Sequence, residues 1–387
     1  MLPELVPLLR NGYQNFTIFY TAGEMVRDGR TAVLYNSSAQ YEVQRQFAPD
    51  VRIRQAALPY NHPPFEALLF VPLTLLPYWK AYLLWTALNL ITLALTLFVL
   101  RRQFAEIGDL SPVFVVLAAT GFFPLVTALV QGQDCILLLF FVALAMAAFK
   151  KERPIAGGAF LAAGLFRFQL VLPLILILAV RRWRLLLGFA PVAALLGAAS
   201  LAMVGWNGAT DYIRFVLSLE KSGAGGSIVA VGMPNLRGII AGVLGVSVSP
   251  TRVAALTVVC SLAAILIAVW WIHVAKASGS FAFTLATLTA ILVSYHALAY
   301  DLSLLLPALL VLFATSGRGT RVEAQGDILL LLFLFLIPRF GLLGSWLGSL
   351  SWAGAFLGWL FWKRNSVPRN QELQSDARNS TFRDGSI

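Results

Sequence analysis

Long apolar runs separated by short polar connections make up most of the chain after residue 63. They predict helices near 65–78, 80–100, 112–130, 134–149, 154–166, 168–180, 185–205, 250–272, 280–296, 302–315, 327–341 and 345–362. A straight membrane span needs about 20 apolar residues, so several of these runs are too short to cross alone. Short helices are tolerated in a membrane where protein or water surrounds them. The pattern therefore predicts an all-α, polytopic integral membrane protein with about 11–12 transmembrane or re-entrant helices.

Composition excludes a soluble protein. The 387 residues are 59% hydrophobic and 12% charged, whereas soluble domains carry about 25% charged residues. The net charge of +11 is typical of cytoplasmic loops in a membrane protein, so we expect no nucleic-acid partner. Cys135 and Cys260 lie in apolar runs without metal-ligand spacing, and we expect neither a metal nor another cofactor.

The distribution of basic residues predicts which ends of the helices face the cytoplasm. Short basic connections occur at 101–102, 150–153, 181–184, 276, 318–321 and 363–364. The positive-inside rule places all of them in the cytoplasm, and the predicted helices supply an even number of crossings between successive clusters. The remaining polar turns then share the extracytoplasmic side: "QNFTIFY", "PYNHPP", "QGQD", "FRFQ", "MPNLRG" and "YHALAYD". Ionisable groups at these span ends are candidates for a functional site.

Three segments follow from this topology. Residues 1–63 are expected to form an extracytoplasmic N-terminal segment, and residues 64–362 a transmembrane domain with an outer loop at 206–249. Residues 363–387 are polar and are expected to form a disordered cytoplasmic tail. Because the first predicted crossing runs inward, residues 1–63 begin outside without a preceding span, and a first helix missing upstream explains this most simply.

Several of these motifs, taken in order, resemble one known family. The ordered motifs are "NFTIFYTAGEMVRDG", "YNHPPFEALLFVPLTLLP", "QGQDCILLL", "AAGLFRFQLVLPLIL", "MPNLRG" and "SYHALAYDLSLLLP". Over roughly residues 15–315 the chain resembles glycosyltransferase family 87. This is a family of bacterial and archaeal GT-C-type membrane enzymes that includes phosphatidylinositol mannoside mannosyltransferases.

The resemblance implies a mannosyltransferase-like hexosyltransferase in the plasma membrane of a prokaryote, with an extracytoplasmic active site. Its donor would be a polyprenyl-phosphate-linked hexose or pentose, its acceptor a lipid or glycan, and the transfer would invert the sugar. Membrane lipids would be its remaining partners.

Inverting transfer needs a general base facing the acceptor hydroxyl. Similar enzymes carry an aspartate base before a phenylalanine, and the matching position here is Asn15. An amide cannot accept the proton, so we expect weak or absent activity unless Asp301, Asp134 or Glu24 substitutes. From the residue alone, Asn15 could equally be a turn or capping residue at a helix start.

Arg167 and Arg237 are the candidates for binding the donor phosphate. In similar enzymes a Lys-Pro pair often fills the place of Arg167 and Phe168, and arginine retains the positive charge while adding a planar fork. The alternatives are that Arg167 extends to the membrane surface and that Arg237 is an ordinary solvated charge.

The candidates for acceptor or sugar binding are His62, Asn61, Gln131, Asp134 and Tyr20. An interfacial histidine and a helix N-cap are the alternatives for His62 and Asp134. Glu66 could be an ordinary first-turn acid.

His296 and Asp301 are further catalytic candidates. Their spacing places them about 140° apart on a continuous helix. They converge only if the helix breaks between them, and Asp301 could instead cap the following helix.

Two other classes of function stay open at this stage. A transporter or lipid flippase would often show internal repeats and charges near mid-membrane, whereas here no repeat is visible and the polar groups lie toward one side. A catalytically inactive homologue that binds sugar-lipid is favoured by Asn15.

Overall fold

The computed structural model describes residues 15–222, 230–245, 248–274, 279–315 and a few residues between 349 and 358. Within these ranges the chain is helical and contains no β-strand, which confirms the predicted all-α class. The predicted helix 327–341 and the tail 363–387 lie outside the described residues, as does most of the predicted helix 345–362.

The described α-helices are α1 (Phe16–Arg27), α2 (Ser37–Phe47), α3 (Pro49–Arg54), α4 (Pro64–Phe70), α5 (Tyr78–Gln103), α6 (Ala105–Gly108), α7 (Pro112–Gly121), α8 (Phe123–Gln131), α9 (Cys135–Lys150), α10 (Pro154–Ala163), α11 (Phe168–Ala179), α12 (Leu185–Ser222), α13 (Leu236–Leu244), α14 (Pro250–Val274), α15 (Gly279–Val293) and α16 (Leu306–Thr315). Short 3-10 helices cover Thr31–Val33, Val71–Leu75, Leu165–Arg167, Ala230–Gly232 and Ala299–Leu305.

Three of these helices are long and apolar enough to cross a membrane: α5, α12 as far as Ser218, and α14. Two bent pairs raise the number to five, if each pair is one span: α7 with α8, and α10 with Leu165–Ala179. The other apolar helices are shorter, as expected for helices surrounded by protein. These lengths fit a multi-pass membrane protein.

The predicted outer loop 206–249 differs from the structure. Helix α12 continues past a kink at Gly205, where φ is 67°, and ends only at Ser222, while α13 occupies Leu236–Leu244. The backbone of Gly205 is non-helical, so Leu185–Ser222 consists of two helices that meet there, and the predicted helix end at residue 205 coincides with this break. The residues after it are helical where a loop was predicted, because residues such as Glu and Lys also favour helical conformation.

The N-terminal segment packs onto the bundle through an aromatic core. Phe19 stacks on Phe70 with ring centroids 4.7 Å apart, and Phe70 in turn meets Trp85 of α5 at 4.8 Å. Phe16 and Phe19 are fully buried in this core. This packing holds α1 against α4 and α5 and fixes the position of its first residues.

Helices α10 and α12 approach each other closely at two glycines. A Cβ atom at Gly158 would lie 1.9 Å from the carbonyl oxygen of Leu185, and one at Gly188 would lie 1.8 Å from that of Ile155. Small residues that let backbones touch are typical of helix packing in membranes. The contact fixes the direction of α10, which leads to the 3-10 turn carrying Arg167.

Candidate active site

The centre of the site is a break between α10 and α11. The chain forms a single 3-10 turn at Leu165–Arg167 and bends by 66° before α11 starts, as predicted for the turn at "FRFQ". The bend places Arg167 inside the bundle with only 2% of its surface exposed. Its side chain is therefore enclosed by protein.

Two carboxylates and one amide bind the Arg167 guanidinium group. Its Nε donates to Asp134 Oδ1 at 2.8 Å, and its Nη2 donates to the same oxygen and to Gln133 Oε1. Its Nη1 lies 3.4 Å from Asp301 Oδ1, and the group lies over the Tyr300 ring, 5.3 Å from its centroid. A buried charge requires this degree of pairing, because desolvation otherwise makes it costly.

Asp134 occupies the N-cap position of α9, but its side chain makes no capping hydrogen bond. Capping therefore does not account for this carboxylate. Burial alone would raise the pKa of Asp134, but the charge of Arg167, together with His62 and the hydrogen bonds from Arg167 and Glu66, lowers it overall. The neighbouring turn is held by α5, since Trp85 donates to the Gly132 carbonyl at 2.9 Å and Asn89 donates to the Gln133 carbonyl at 3.3 Å.

His62 lies between two carboxylates. Its Nδ1 is 2.7 Å from Glu66 Oε2 and 3.6 Å from Asp134 Oδ2. The backbone here is anchored because the Tyr35 hydroxyl donates to the His62 carbonyl at 2.8 Å. Burial is the main reason that the pKa of His62 falls from 6.5 to about 3, so its imidazole is neutral near pH 7.

Metal ligation is chemically feasible at this position. His62, Glu66 and Asp134 offer ligand atoms that all lie within 4.8 Å of one another. No metal was predicted from the sequence, and an ordinary first-turn acid was one interpretation of Glu66. Glu66 is fully buried, and that burial, like its proximity to Asp134, depends on the tertiary fold.

His296 lies in a non-helical connection. Helix α15 ends at Val293, and the next 3-10 turn starts at Ala299. Residues 294–298 thus form the break that lets His296 and Asp301 approach one site. Burial is the main cause that lowers the pKa of His296 to about 4, with the charges of Arg167 and Arg237 acting in the same direction.

The start of α13 fixes this connection. The Asn235 side chain accepts from the Gly238 N–H at 2.8 Å and donates to the Ser294 carbonyl at 2.7 Å. Arg237 donates to the Tyr295 carbonyl at 3.3 Å and lies over the Tyr295 ring. Asp301 accepts from the Leu298 N–H at 2.8 Å, so it closes the following 3-10 turn as well as pairing with Arg167.

A cavity of about 140 Å³ lies at this centre. Five of the predicted site residues share its wall: Asn15, Asn61, His62, Arg167 and His296. Asp134 and Asp301 lie behind the wall, in contact with Arg167. Among the described residues that line the cavity, none carries a carboxyl group.

Tyr20 and Glu24 lie outside the cavity wall. The Tyr20 hydroxyl donates to the Leu76 carbonyl at 2.8 Å, and its ring packs against Tyr78. Glu24 pairs with Arg27 near the opposite end of α1 from Asn15. Because Tyr20 does not line the cavity, its role in acceptor binding stays a prediction.

Asn15 stands at the N-cap position of α1, yet its side chain makes no capping hydrogen bond. Its backbone N–H donates to Gln131 Oε1 at 3.1 Å, which ties α1 to the end of α8. In this structure Gln131 therefore contacts the backbone of Asn15. Asn15 lines the cavity, and its side chain does not cap the helix.

No curated protein and no solved structure matches the chain significantly. The model of glycosyltransferase family 87 matches residues 60–295, which is more than half of the chain. The match includes His62, Glu66, Asp134, Arg167 and Arg237, while Asn15, His296 and Asp301 lie outside it. The chain therefore belongs to glycosyltransferase family 87, as its ordered motifs predicted.

Proposed function

We propose that the chain transfers a hexose or pentose from a polyprenyl-phosphate sugar to a hydroxyl group of an extracytoplasmic lipid or glycan, with inversion. The enzyme would be mannosyltransferase-like and reside in the plasma membrane of a prokaryote. The observation that carries this proposal is the cavity whose wall combines Asn15, His62, Arg167 and His296 in a chain of this family.

The reaction requires the acceptor oxygen to attack the anomeric carbon while the bond from that carbon to the phosphate oxygen breaks. Negative charge then grows on the departing phosphate, and fixed cations stabilise it. We assign this role to Arg237, beside the Tyr295 loop, and to Arg167, which lines the cavity. Because Asp134 and Asp301 already neutralise much of its charge, Arg167 contributes less attraction than Arg237.

The proton of the acceptor hydroxyl needs a base, and Asn15 cannot provide one. Asp134 and Asp301 are paired with Arg167 behind the wall, and Glu24 lies elsewhere. We therefore propose that the chain is a slow transferase in which Asn15, His62 and Asn61 contact the sugar or acceptor. His296 is assigned to the same face of the cavity.

A second candidate function is binding of a sugar-lipid without turnover. The observation that favours it is the absence of a carboxyl group among the described residues of the cavity wall. It differs from slow transfer in one measurable respect, because the donor would bind and remain intact.

The Asn15→Asp variant tests both proposals. Proteoliposomes containing the full chain would receive a radiolabelled polyprenyl-phosphate mannose and a membrane lipid acceptor, and labelled product would be separated by chromatography. A positioned general base contributes about 10²–10⁴-fold to rate, so Asn15→Asp should raise transfer at least tenfold. The matched control is Asn61→Asp, which adds the same charge elsewhere in the wall and should give no gain.

Other outcomes would overturn one proposal or the other. A fully active wild type that Asn15→Asp leaves unchanged would show that position 15 is not the base position. Donor binding without turnover in both proteins would support the second candidate function. Failure of both to bind the donor would contradict the proposed donor class.

A further inference from the structure

We propose that His62, Glu66 and Asp134 bind one divalent transition-metal ion directly behind the wall of the cavity. Two ligands come from the entry to α4, and the third comes from the turn before α9. The site goes beyond the proposed sugar transfer and does not depend on it.

The spacing of the ligand atoms fits a single ion. Nitrogen and oxygen ligands lie about 2.0–2.2 Å from a zinc ion, so atoms on the same ion are separated by roughly 3–4 Å. His62 Nδ1 lies 2.7 Å from Glu66 Oε2 and 3.6 Å from Asp134 Oδ2. One ion can therefore reach all three side chains after small rotations.

Among the described residues, the ligand atoms approach mainly one another. His62 Nδ1, both carboxyl oxygens of Glu66 and Asp134 Oδ2 are buried and have no hydrogen-bond partner there. Buried polar atoms in native proteins almost always have partners, and leaving them without one is costly. Three such side chains, whose ligand atoms lie within 4.8 Å of one another, favour a bound cation.

The buried carboxyl groups here outnumber the buried cations. Glu66, Asp134 and Asp301 stand against the single positive charge of Arg167, and all four groups are at most 2% exposed. With every carboxyl group ionised and His62 neutral, the group would carry a net charge of −2. A divalent cation cancels this charge in a place where an uncompensated charge is strongly unfavourable.

The surrounding hydrogen bonds do not use the atoms that would bind the ion. Arg167 donates to Oδ1 of Asp134, so the other carboxyl oxygen, Oδ2, faces His62. Tyr35 anchors the His62 carbonyl, and such outer contacts orient metal ligands. One imidazole with two carboxylates suits Zn²⁺ or Mn²⁺ better than Ca²⁺, which prefers oxygen ligands alone.

Metal binding can be measured without any sugar substrate. The purified full chain in detergent would be stripped with a chelator, titrated with Zn²⁺ or Mn²⁺, desalted, and analysed for bound metal and for its thermal unfolding midpoint. We expect one ion per chain and a midpoint that rises with metal concentration. His62→Gln and Glu66→Gln should each weaken binding at least tenfold, whereas Asp301→Asn, which removes a buried charge but no ligand, should retain the ion.

The rival explanation is a proton shared between the carboxyl groups. It predicts no bound metal and a midpoint that micromolar Zn²⁺ or Mn²⁺ does not change, and that result would overturn the proposal. Undiminished binding by the His62→Gln/Glu66→Gln double variant would overturn it too, because the ion would then lie elsewhere. The readout is the shift produced by metal, so a change in the basal stability of a variant does not affect the conclusion.

Discussion

The two bent helix pairs have nearly the same angle and very different contents. The pair α7 and α8 bends by 67°, and the pair α10 and Leu165–Ala179 bends by 66°. At the first break the fully buried side chain is the phenyl ring of Phe122, which packs in the main hydrophobic core. At the second break Arg167 is buried as well as Phe166, and Asp134 and Asp301 hold the arginine.

A sharp bend between two helices and a buried charge at the bend are separate features of these breaks. The first break forms with an apolar side chain and a proline, Pro124, in the first turn of α8, so a sharp bend needs no buried charge. The arginine in the second break adds a desolvation cost that the fold does not demand. We infer that function, and not bending, explains the charge.

Among the variants that test this difference between the two breaks, Arg167→Met should change the stability most. Arg167→Met leaves Asp134 and Asp301 without their cation, and breaking a buried ion pair costs roughly 3–5 kcal/mol. Denaturant unfolding in detergent micelles would measure the loss. The double variant Arg167→Met/Asp301→Asn should recover part of it, and a loss no larger than that of a Phe122 variant would show that the charge at the second break is unimportant.

Acid should affect the second break and not the first, and His296 is one of the groups through which it acts. The pKa of His296 is about 4 in the folded chain and about 6.5 when unfolded, so the unfolded state binds the extra proton between these values. Stability should therefore fall as the pH falls from 6.5 to 4, by at most about 1.4 kcal/mol per pH unit from this residue.

The control for the acid effect is His296→Gln, which retains a polar side chain but does not titrate in this range. Unfolding measured from pH 7 to pH 4 should show a shallower dependence of stability on pH for this variant. The dependence that persists belongs to His62 and Asp301, whose pKa values are also shifted. An unchanged slope would contradict the prediction.

Shortening Phe122 gives the smallest expected effect. Phe122→Leu removes buried apolar volume and should cost roughly 1–2 kcal/mol, equally at pH 7 and pH 5, because the ring carries no charge. Donor binding to proteoliposomes should stay at the wild-type level. A large loss of donor binding would mean that the apolar break also shapes the site.

The sequence predicted the helical class, the turn at Arg167 and the polar turns that meet around the cavity. These features depend on local apolarity and on charge placement, which a sequence displays directly. The partnership of Glu66 with Asp134 was not predictable, because only tertiary packing brings these two residues together. Gln133 was not predicted as a site residue for the same reason. Tyr20 was predicted to bind the acceptor because it is an aromatic residue in a polar motif, but it packs into the N-terminal core.

The anchoring of Asn15 through its backbone has an evolutionary consequence. Because the N–H group of residue 15, and not its side chain, binds Gln131, the residue can change without releasing the start of α1. Asparagine and aspartate codons differ by one nucleotide. A lineage could therefore lose and regain a carboxylate at this position by single mutations, while the surrounding architecture persists between the two states.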